Sequence, residues 1–288
     1  MRLGIALPQF GPALGSAADI AGFAAAAERL GYATLWVGDR LLTPLSPGDP
    51  YPGKAQPYPP EFTRAGDPLL VWTVAATATG RIRLNSSTLN APYYGQVALA
   101  RALTTLDVLS AGRLDVGFGL GWMRDEYAAA GVDWRTRGRR LDDLLDFLDA
   151  WWTTNPVRHD GPYLHLPDTQ VDLRPVQPGG PPIYLGGFSE AALQRVGRRA
   201  TGWLTVARVQ PKPWDTIRRA AESAGRDPDA IRRVVRLNPD PSMTLNQIAD
   251  AIDQAAEDGA DETFVDFNFA GVTAAESLER AEKLIEGR

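Results

Sequence analysis

The sequence predicts a (β/α)8 TIM barrel, and three observations carry that prediction. A short apolar run followed by an amphipathic segment recurs eight times along the chain, the pattern of parallel strands joined by helices. The 288 residues suit one such barrel. The first apolar run, residues 3–7, is continuous rather than alternating, as in a strand buried on both faces. An open, doubly wound sheet is the structural alternative that the same alternation allows.

Residues 3–7 form the first apolar run, ended by Pro8. Ser16-x-x-Asp19 is a capping-box variant, and Ile20, Phe23, Ala24, Ala27 and Leu30 keep helical spacing up to Gly31. Residues 34–37 make the second strand, closed by Gly38-Asp39-Arg40. Residues 41–66 then carry Pro44, Pro47, Pro50, Pro52, Pro57, Pro59 and Pro60, a long proline-rich loop after strand two. Because the strand-helix alternation resumes afterwards, this loop reads as a lid rather than a linker. Its Tyr51, Tyr58 and Phe62 suggest an aromatic pocket, although such side chains also pack the loop itself.

Asp67-Pro68 opens a helix running to Thr79, with Pro at its first position. The third strand, residues 81–90, ends in the unusually polar Asn85-Ser86-Ser87-Thr88-Leu89-Asn90, and a helix covers 94–109. The next strand exits through Gly117, Gly119 and Gly121. Side chains alternate across a strand, so these glycines share one bare face that something flat, or another backbone, can approach. Their spacing is not that of a dinucleotide-binding loop.

Helices follow over 123–130 and 137–152, the latter with Leu141, Leu144, Leu145, Leu148 and Trp152 on one stripe. An irregular insertion over 159–180 precedes the fifth strand, 182–185. Gly186-Gly187-Phe188-Ser189 introduces the next helix. The sixth, seventh and eighth strands are 203–206, 233–237 and 263–267, with Thr244-x-x-Gln247 and Thr273-x-x-Glu276 capping the last two helices. Residues 1–288 are expected to form a single domain.

Composition narrows the function. A hydrophobic content of 44% supports a substantial core, and a net charge of -5 argues against a nucleic-acid or anionic-membrane surface. No apolar run reaches membrane-spanning length, so a cytoplasmic location is expected. With no cysteine there is no disulfide, thiolate nucleophile or cysteine-ligated metal. His159 and His165 both fall in the insertion, without the clustered ligands of a zinc site, so no metal is expected.

In such barrels the site forms where strands end. The strand ends offer mostly neutral, aromatic and glycine residues, with no facing carboxylate pair for glycoside hydrolysis and no nucleophile elbow. A site this poor in reactive side chains suggests that a cofactor brings the chemistry. At Gly186-Gly187-Phe188-Ser189, backbone N–H groups at a helix start and a serine hydroxyl could seat a phosphate. The same residues also read as a plain N-cap after a glycine turn.

Several motifs together resemble the luciferase-like monooxygenase superfamily, and most closely its branch of oxidoreductases using the deazaflavin coenzyme F420. They are Leu35-Trp36-Val37-Gly38-Asp39-Arg40, Asp67-Pro68, Thr104-x-x-Asp107-x-Leu109-Ser110-x-Gly112-Arg113, Gly117-x-Gly119-x-Gly121-Trp122-x-x-x-Glu126, Arg137-x-x-Arg140-x-Asp142 and Ile183-x-x-Gly186-Gly187. The resemblance implies a TIM barrel holding the cofactor ring at its C-terminal mouth, with the phosphate near Gly186, Gly187, Phe188 and Ser189. It implies a non-prolyl cis peptide at Ser87-Thr88 that supports the ring, and places Asp39 beside it. Asn90, Gly119 and Gly121, at neighbouring strand ends, are read as further cofactor contacts.

Arg40 departs from relatives that often carry His there as a proton donor or base, because a guanidinium stays protonated. Arg40 is therefore expected to bind an anionic substrate or the cofactor tail, and proton transfer falls to another group or water. Glu126 is expected to pair with Arg137 or Arg140, and Trp122 reads equally as packing anchor or cofactor wall. The resemblance also implies a homodimer through helices around 69–78 and 97–106. The activity implied is hydride transfer between F420 and a small organic substrate. An FMN-dependent monooxygenase and a catalytically silent flavin-binding protein are the alternatives.

Overall fold

The computed structural model describes residues 1–52 and 58–287. Residues 53–57, in the middle of the proline-rich loop and including Pro57, lie outside the described part.

Nine parallel strands make one sheet: β1 (Arg2–Ala6), β2 (Thr34–Val37), β3 (Arg83–Ser86), β4 (Leu89–Asn90), β5 (Val116–Gly119), β8 (Ile183–Gly186), β9 (Gly202–Val206), β10 (Arg232–Leu237) and β11 (Glu262–Val265). Their order is β3-β2-β1-β11-β10-β9-β8-β5-β4. Among the described residues the remaining strands, β6 (Val157–Asp160) and β7 (His165–Thr169), pair antiparallel outside it. β3 and β4 are two pieces of one strand position, interrupted at Ser87-Thr88. The ring closes between β3 and the lead-in to β5. There Leu84 N–H donates to the Arg113 carbonyl at 3.0 Å, and Asp115 N–H donates to the Leu84 carbonyl at 2.8 Å. That closure removes the open-sheet alternative and leaves eight strand positions, as the strand-helix count implies.

The helices are α1 (Ala17–Leu30), α2 (Pro68–Ala78), α3 (Gln96–Leu109), α4 (Arg124–Ala129), α5 (Arg137–Thr153), α6 (Glu190–Arg199), α7 (Pro211–Ser223), α8 (Leu245–Glu257) and α9 (Ala274–Glu286). Each sequence-read cap forms: Ser16 with Asp19, Thr244 with Gln247 and Thr273 with Glu276 are full capping boxes. Asp67 accepts from Leu69 and Leu70 N–H ahead of Pro68. These contacts satisfy donors that a helix start otherwise leaves open.

The insertion is more ordered than its sequence suggests. β6 and β7 form a hairpin that docks on α5 through His159 Nε2 and Asp143 Oδ1 at 3.0 Å. Two strands of polar residues joined at Gly161-Pro162 give no apolar alternation to read, so only the three-dimensional pairing reveals them.

The barrel interior is plugged below its mouth. Ala6, Trp36, Tyr184, Leu204, Val234 and Phe264 pack together there, with the Trp36 and Phe264 rings stacked at 4.2 Å. The glycine face of β5 is not bare. A Cβ on Gly117 would lie 1.8 Å from the Ser86 carbonyl oxygen, and one on Gly119 would lie 2.2 Å from Thr88 Oγ1. At Gly117 the close approach of another backbone is the reading realised, and it brings the β3–β4 break against β5, whereas Gly119 and Gly121 meet side chains and line the open cavity. Ser86 Oγ bonds the Gly117 carbonyl at 2.8 Å and its N–H at 3.0 Å, fixing that approach.

Candidate active site at the barrel mouth

A cavity of about 800 Å³ opens at the C-terminal ends of the strands. Asp39, Arg40, Ser87, Thr88, Asn90, Gly119, Gly121, Gly186, Gly187, Phe188 and Ser189 all line it. The topology explains why residues so far apart in sequence meet: all parallel strands end on one side, so every post-strand loop faces the same space.

Asp39 follows β2 and is held from the neighbouring strand position. Its Oδ2 accepts from Asn90 N–H at 2.8 Å and from the Tyr94 hydroxyl at 3.1 Å. Burial pushes the carboxyl up to about 6, against the lowering effect of those two hydrogen bonds, and the charges of Glu126 and Asp67 add to the rise. Asp39 is thus a carboxyl held well above its ordinary range on the cavity wall. The peptide between Ser87 and Thr88 is cis, as the resemblance implied.

Arg40 is placed differently from expectation. Its side chain is only 6% exposed, pairs with the fully buried Glu126 at 3.3 Å, and lies over the Phe62 and Trp122 rings at 4.5 and 4.8 Å. Glu126 also accepts from Leu41 N–H at 2.7 Å and from the Tyr93 hydroxyl at 3.0 Å. The guanidinium is therefore neutralised inside the wall, which corrects its reading as a holder of an anion. The Glu126 pairing is corrected with it. Arg137 instead lies 3.8 Å over the Trp134 ring, and Arg140 bonds Thr136 Oγ1 at 3.0 Å. Arg40 wins because its chain reaches Glu126 within a buried site, where an unpaired carboxylate is costly.

The plain N-cap at Ser189 is present: its Oγ accepts from Ala192 N–H at 3.3 Å. Gly187 has a φ of +140°, and a Cβ there would lie 2.7 Å from the Ala192 Cβ, so the turn into α6 requires glycine.

Two lining residues escaped the sequence reading. Arg236, on β10, donates to the Ser87 carbonyl at 2.8 Å and to Asn238 Oδ1 at 2.8 Å, and pairs with Asp266 at 2.5 Å. The signal was present: Arg236 is one alternation from the inward Val234, and a charge facing inward needs a partner or a task. Arg137 was read from the sequence only as a partner of Glu126, and its place on the cavity wall was missed. Among the described residues it is the one cation lining the cavity with no carboxylate partner.

The proline-rich loop is fastened at its stems. Gln9 is buried and bonds the Gly38 N–H and carbonyl and the Gly66 carbonyl, each at 2.8 Å. Further along, Arg124 N–H donates to Asp49 Oδ2 at 2.7 Å. Tyr51 and Phe62 line the cavity, whereas Tyr58 packs among Tyr51, Phe62 and Trp122.

A phosphate-bearing planar cofactor is chemically compatible with these residues. Arg137, a cation without a carboxylate partner, and the residues that start α6 both line the cavity, and Ser87, Thr88 and Gly119 line it with small side chains or none. Among the described residues no three metal-ligating side chains cluster, and no helix is long and apolar enough to cross a membrane.

A model of the luciferase-like monooxygenase family matches residues 1–285. The chain belongs to that family. A phthiodiolone/phenolphthiodiolone dimycocerosates ketoreductase of Mycobacterium tuberculosis is 30% identical over 217 residues, covering 72% of this chain and 57% of that protein. Among solved structures, an F420-dependent secondary alcohol dehydrogenase bound to an F420–acetone adduct superposes with a TM-score of 0.76 at 15% identity, covering 98% of this chain and 97% of the other. A riboflavin lyase with modified FMN and riboflavin does so with a TM-score of 0.76 at 16% identity, covering 100% and 92%. These luciferase-like folds serve both deazaflavin and flavin enzymes.

Proposed function

We propose that this family member is an F420-dependent oxidoreductase that interconverts a small carbonyl compound and its alcohol at the barrel mouth. The observation that carries the reading is Asp39, a carboxyl on the cavity wall that burial brings to about 6. Carbonyl reduction needs a hydride and a proton, and Asp39 can supply the proton near neutral pH. F420, when bound, supplies or accepts the hydride.

The chain's own residues do the rest. Asn90 and Tyr94 hold Asp39 Oδ2, so Oδ1 would be the oxygen that carries the exchanged proton. On reduction the carbonyl π bond breaks, a C–H bond forms with the hydride, and the Asp39 proton completes the O–H bond. Arg236 fixes the Ser87 carbonyl on the floor. Ser87, Thr88, Asn90, Gly119 and Gly121 would hold the ring, while Gly186, Gly187, Phe188, Ser189 and Arg137 would hold the phosphate. Arg40 acts through Glu126 and the aromatic wall, positioning rather than touching the reacting atoms.

The choice of F420 over FMN is supported by the motif resemblance, the F420-dependent fold neighbour and the ketoreductase relative. Equilibrium titration with both oxidised tricycles tests it. F420 is expected to bind at least about tenfold tighter, a difference of roughly 1.4 kcal/mol. Tighter FMN binding would favour the monooxygenase alternative. Substrate-dependent oxidation of reduced F420 excludes a silent binding protein. Arg137→Ala is expected to weaken F420 about tenfold by removing one charge-assisted contact.

The same proposal takes residues 1–288 as one domain, in the cytoplasm, paired with a second copy. α2 and α3 expose Leu70, Val97, Val108 and Leu109, which supports an interface there. Sedimentation at micromolar concentration is expected to give a dimer mass.

A further inference from the structure

We infer that the substrate of this site is a neutral aromatic carbonyl compound, or its alcohol, held against a wall of rings, and not an anion. The inference rests on the oxidoreductase reading and adds the substrate class. Five rings line one part of the cavity: Phe10, Tyr51, Phe62, Trp122 and Phe269. They are locked edge to face or tilted, with Tyr51–Trp122 centroids at 5.5 Å, Phe62–Phe269 at 5.3 Å and Phe10–Phe269 at 5.4 Å. Rings fixed against one another lose little freedom when a planar ligand settles on them, and aromatic pairs add to the gain from area alone.

Charge decides the rest. Two arginines stand beside these rings, and each is already neutralised: Arg40 by Glu126 at 3.3 Å, and Arg236 by Asp266 at 2.5 Å. Arg236 also spends its other nitrogens on Ser87 and Asn238. Among the described residues the ring wall therefore offers no unpaired cation to an anionic substrate. Arg137, the lining cation without a carboxylate partner, stands over Trp134 rather than among these rings.

The test is a binding panel on the whole protein, read by tryptophan fluorescence with and without F420. It uses 2-acetylnaphthalene, the saturated ketone 2-octanone, pyruvate and glucose 6-phosphate. 2-Acetylnaphthalene is expected to bind about tenfold tighter than 2-octanone, and at least about 100-fold tighter than either anion. Tyr51→Leu, which keeps the site apolar but removes one ring, is expected to bring the naphthyl and octyl ketones to within about threefold. Equal or tighter binding of 2-octanone, pyruvate or glucose 6-phosphate by the native protein overturns the inference, as does an unchanged naphthyl preference in Tyr51→Leu. The two readings fail separately. Loss of F420 binding with the ranking intact removes the oxidoreductase assignment alone, and F420 binding with the ranking reversed removes the substrate class alone.

Discussion

Asp39→Asn is expected to lower turnover by about 10²- to 10⁴-fold, the usual worth of a positioned proton-transfer group, while changing F420 affinity less than about threefold. The amide keeps an oxygen to accept from Asn90 N–H and Tyr94, so the loop after β2 stays in place. It loses only the proton. The native enzyme should show the same group in its pH profile. Carbonyl reduction uses protonated Asp39, so its rate falls as pH rises through about 6; alcohol oxidation uses the carboxylate and rises over the same range.

Stability follows the same direction as the reduction rate. The folded-state value of Asp39 lies above its ordinary 3.8. Its contribution is therefore fully present below about pH 4 and is lost as pH rises through about 6. Near pH 8 the ionised carboxyl costs up to about 3 kcal/mol for a rise of roughly two pH units. Asp39→Asn should relieve part of that and raise the melting temperature at pH 8 but not at pH 4. A variant that is both inactive and less stable at pH 8 would contradict this account of Asp39.

Glu126→Ala is expected to destabilise the fold by about 4 kcal/mol, read as a lowered urea midpoint. Removing the carboxylate leaves the Arg40 guanidinium buried without its counter-charge, and leaves Leu41 N–H and the Tyr93 hydroxyl without an acceptor. Arg40 Nε already has no partner among the described residues, so little remains to compensate. Replacing both partners by methionine should restore most of the loss, because a well-packed apolar pair is often as stable as a buried ion pair. A loss under about 1 kcal/mol in Glu126→Ala would show that water reaches Arg40 and that the wall is not closed.

The barrel was legible because each strand-helix unit carries its own local signal. Apolar runs, capping residues such as Thr244 and Thr273, and the Pro68 helix start all act within a few residues. The mouth was legible for a related reason: in parallel strands, chain direction alone says which end faces the site, so Asp39, Thr88 and Gly187 could be placed by their position after a strand. What could not be read was partnership. Glu126 chooses among Arg40, Arg137 and Arg140 by geometry that spacing does not encode. The glycine face of β5 was equally ambiguous, since a strand without side chains admits a ligand or a neighbour's backbone alike. Arg236 was overlooked although its inward register marked it, and the β6–β7 hairpin lacked any apolar pattern to mark.

The central claim is that the barrel mouth seats a tricyclic cofactor with its phosphate at the start of α6 and its ring beside Asp39. A crystal structure of the protein grown with oxidised F420 tests this most directly. The expected result is a ring above Ser87-Thr88 within hydrogen-bonding reach of Asp39, its phosphate against Gly187, Ser189 and Arg137. A fully loaded crystal whose cofactor lies outside the mouth, or whose phosphate faces the aromatic wall, would contradict it.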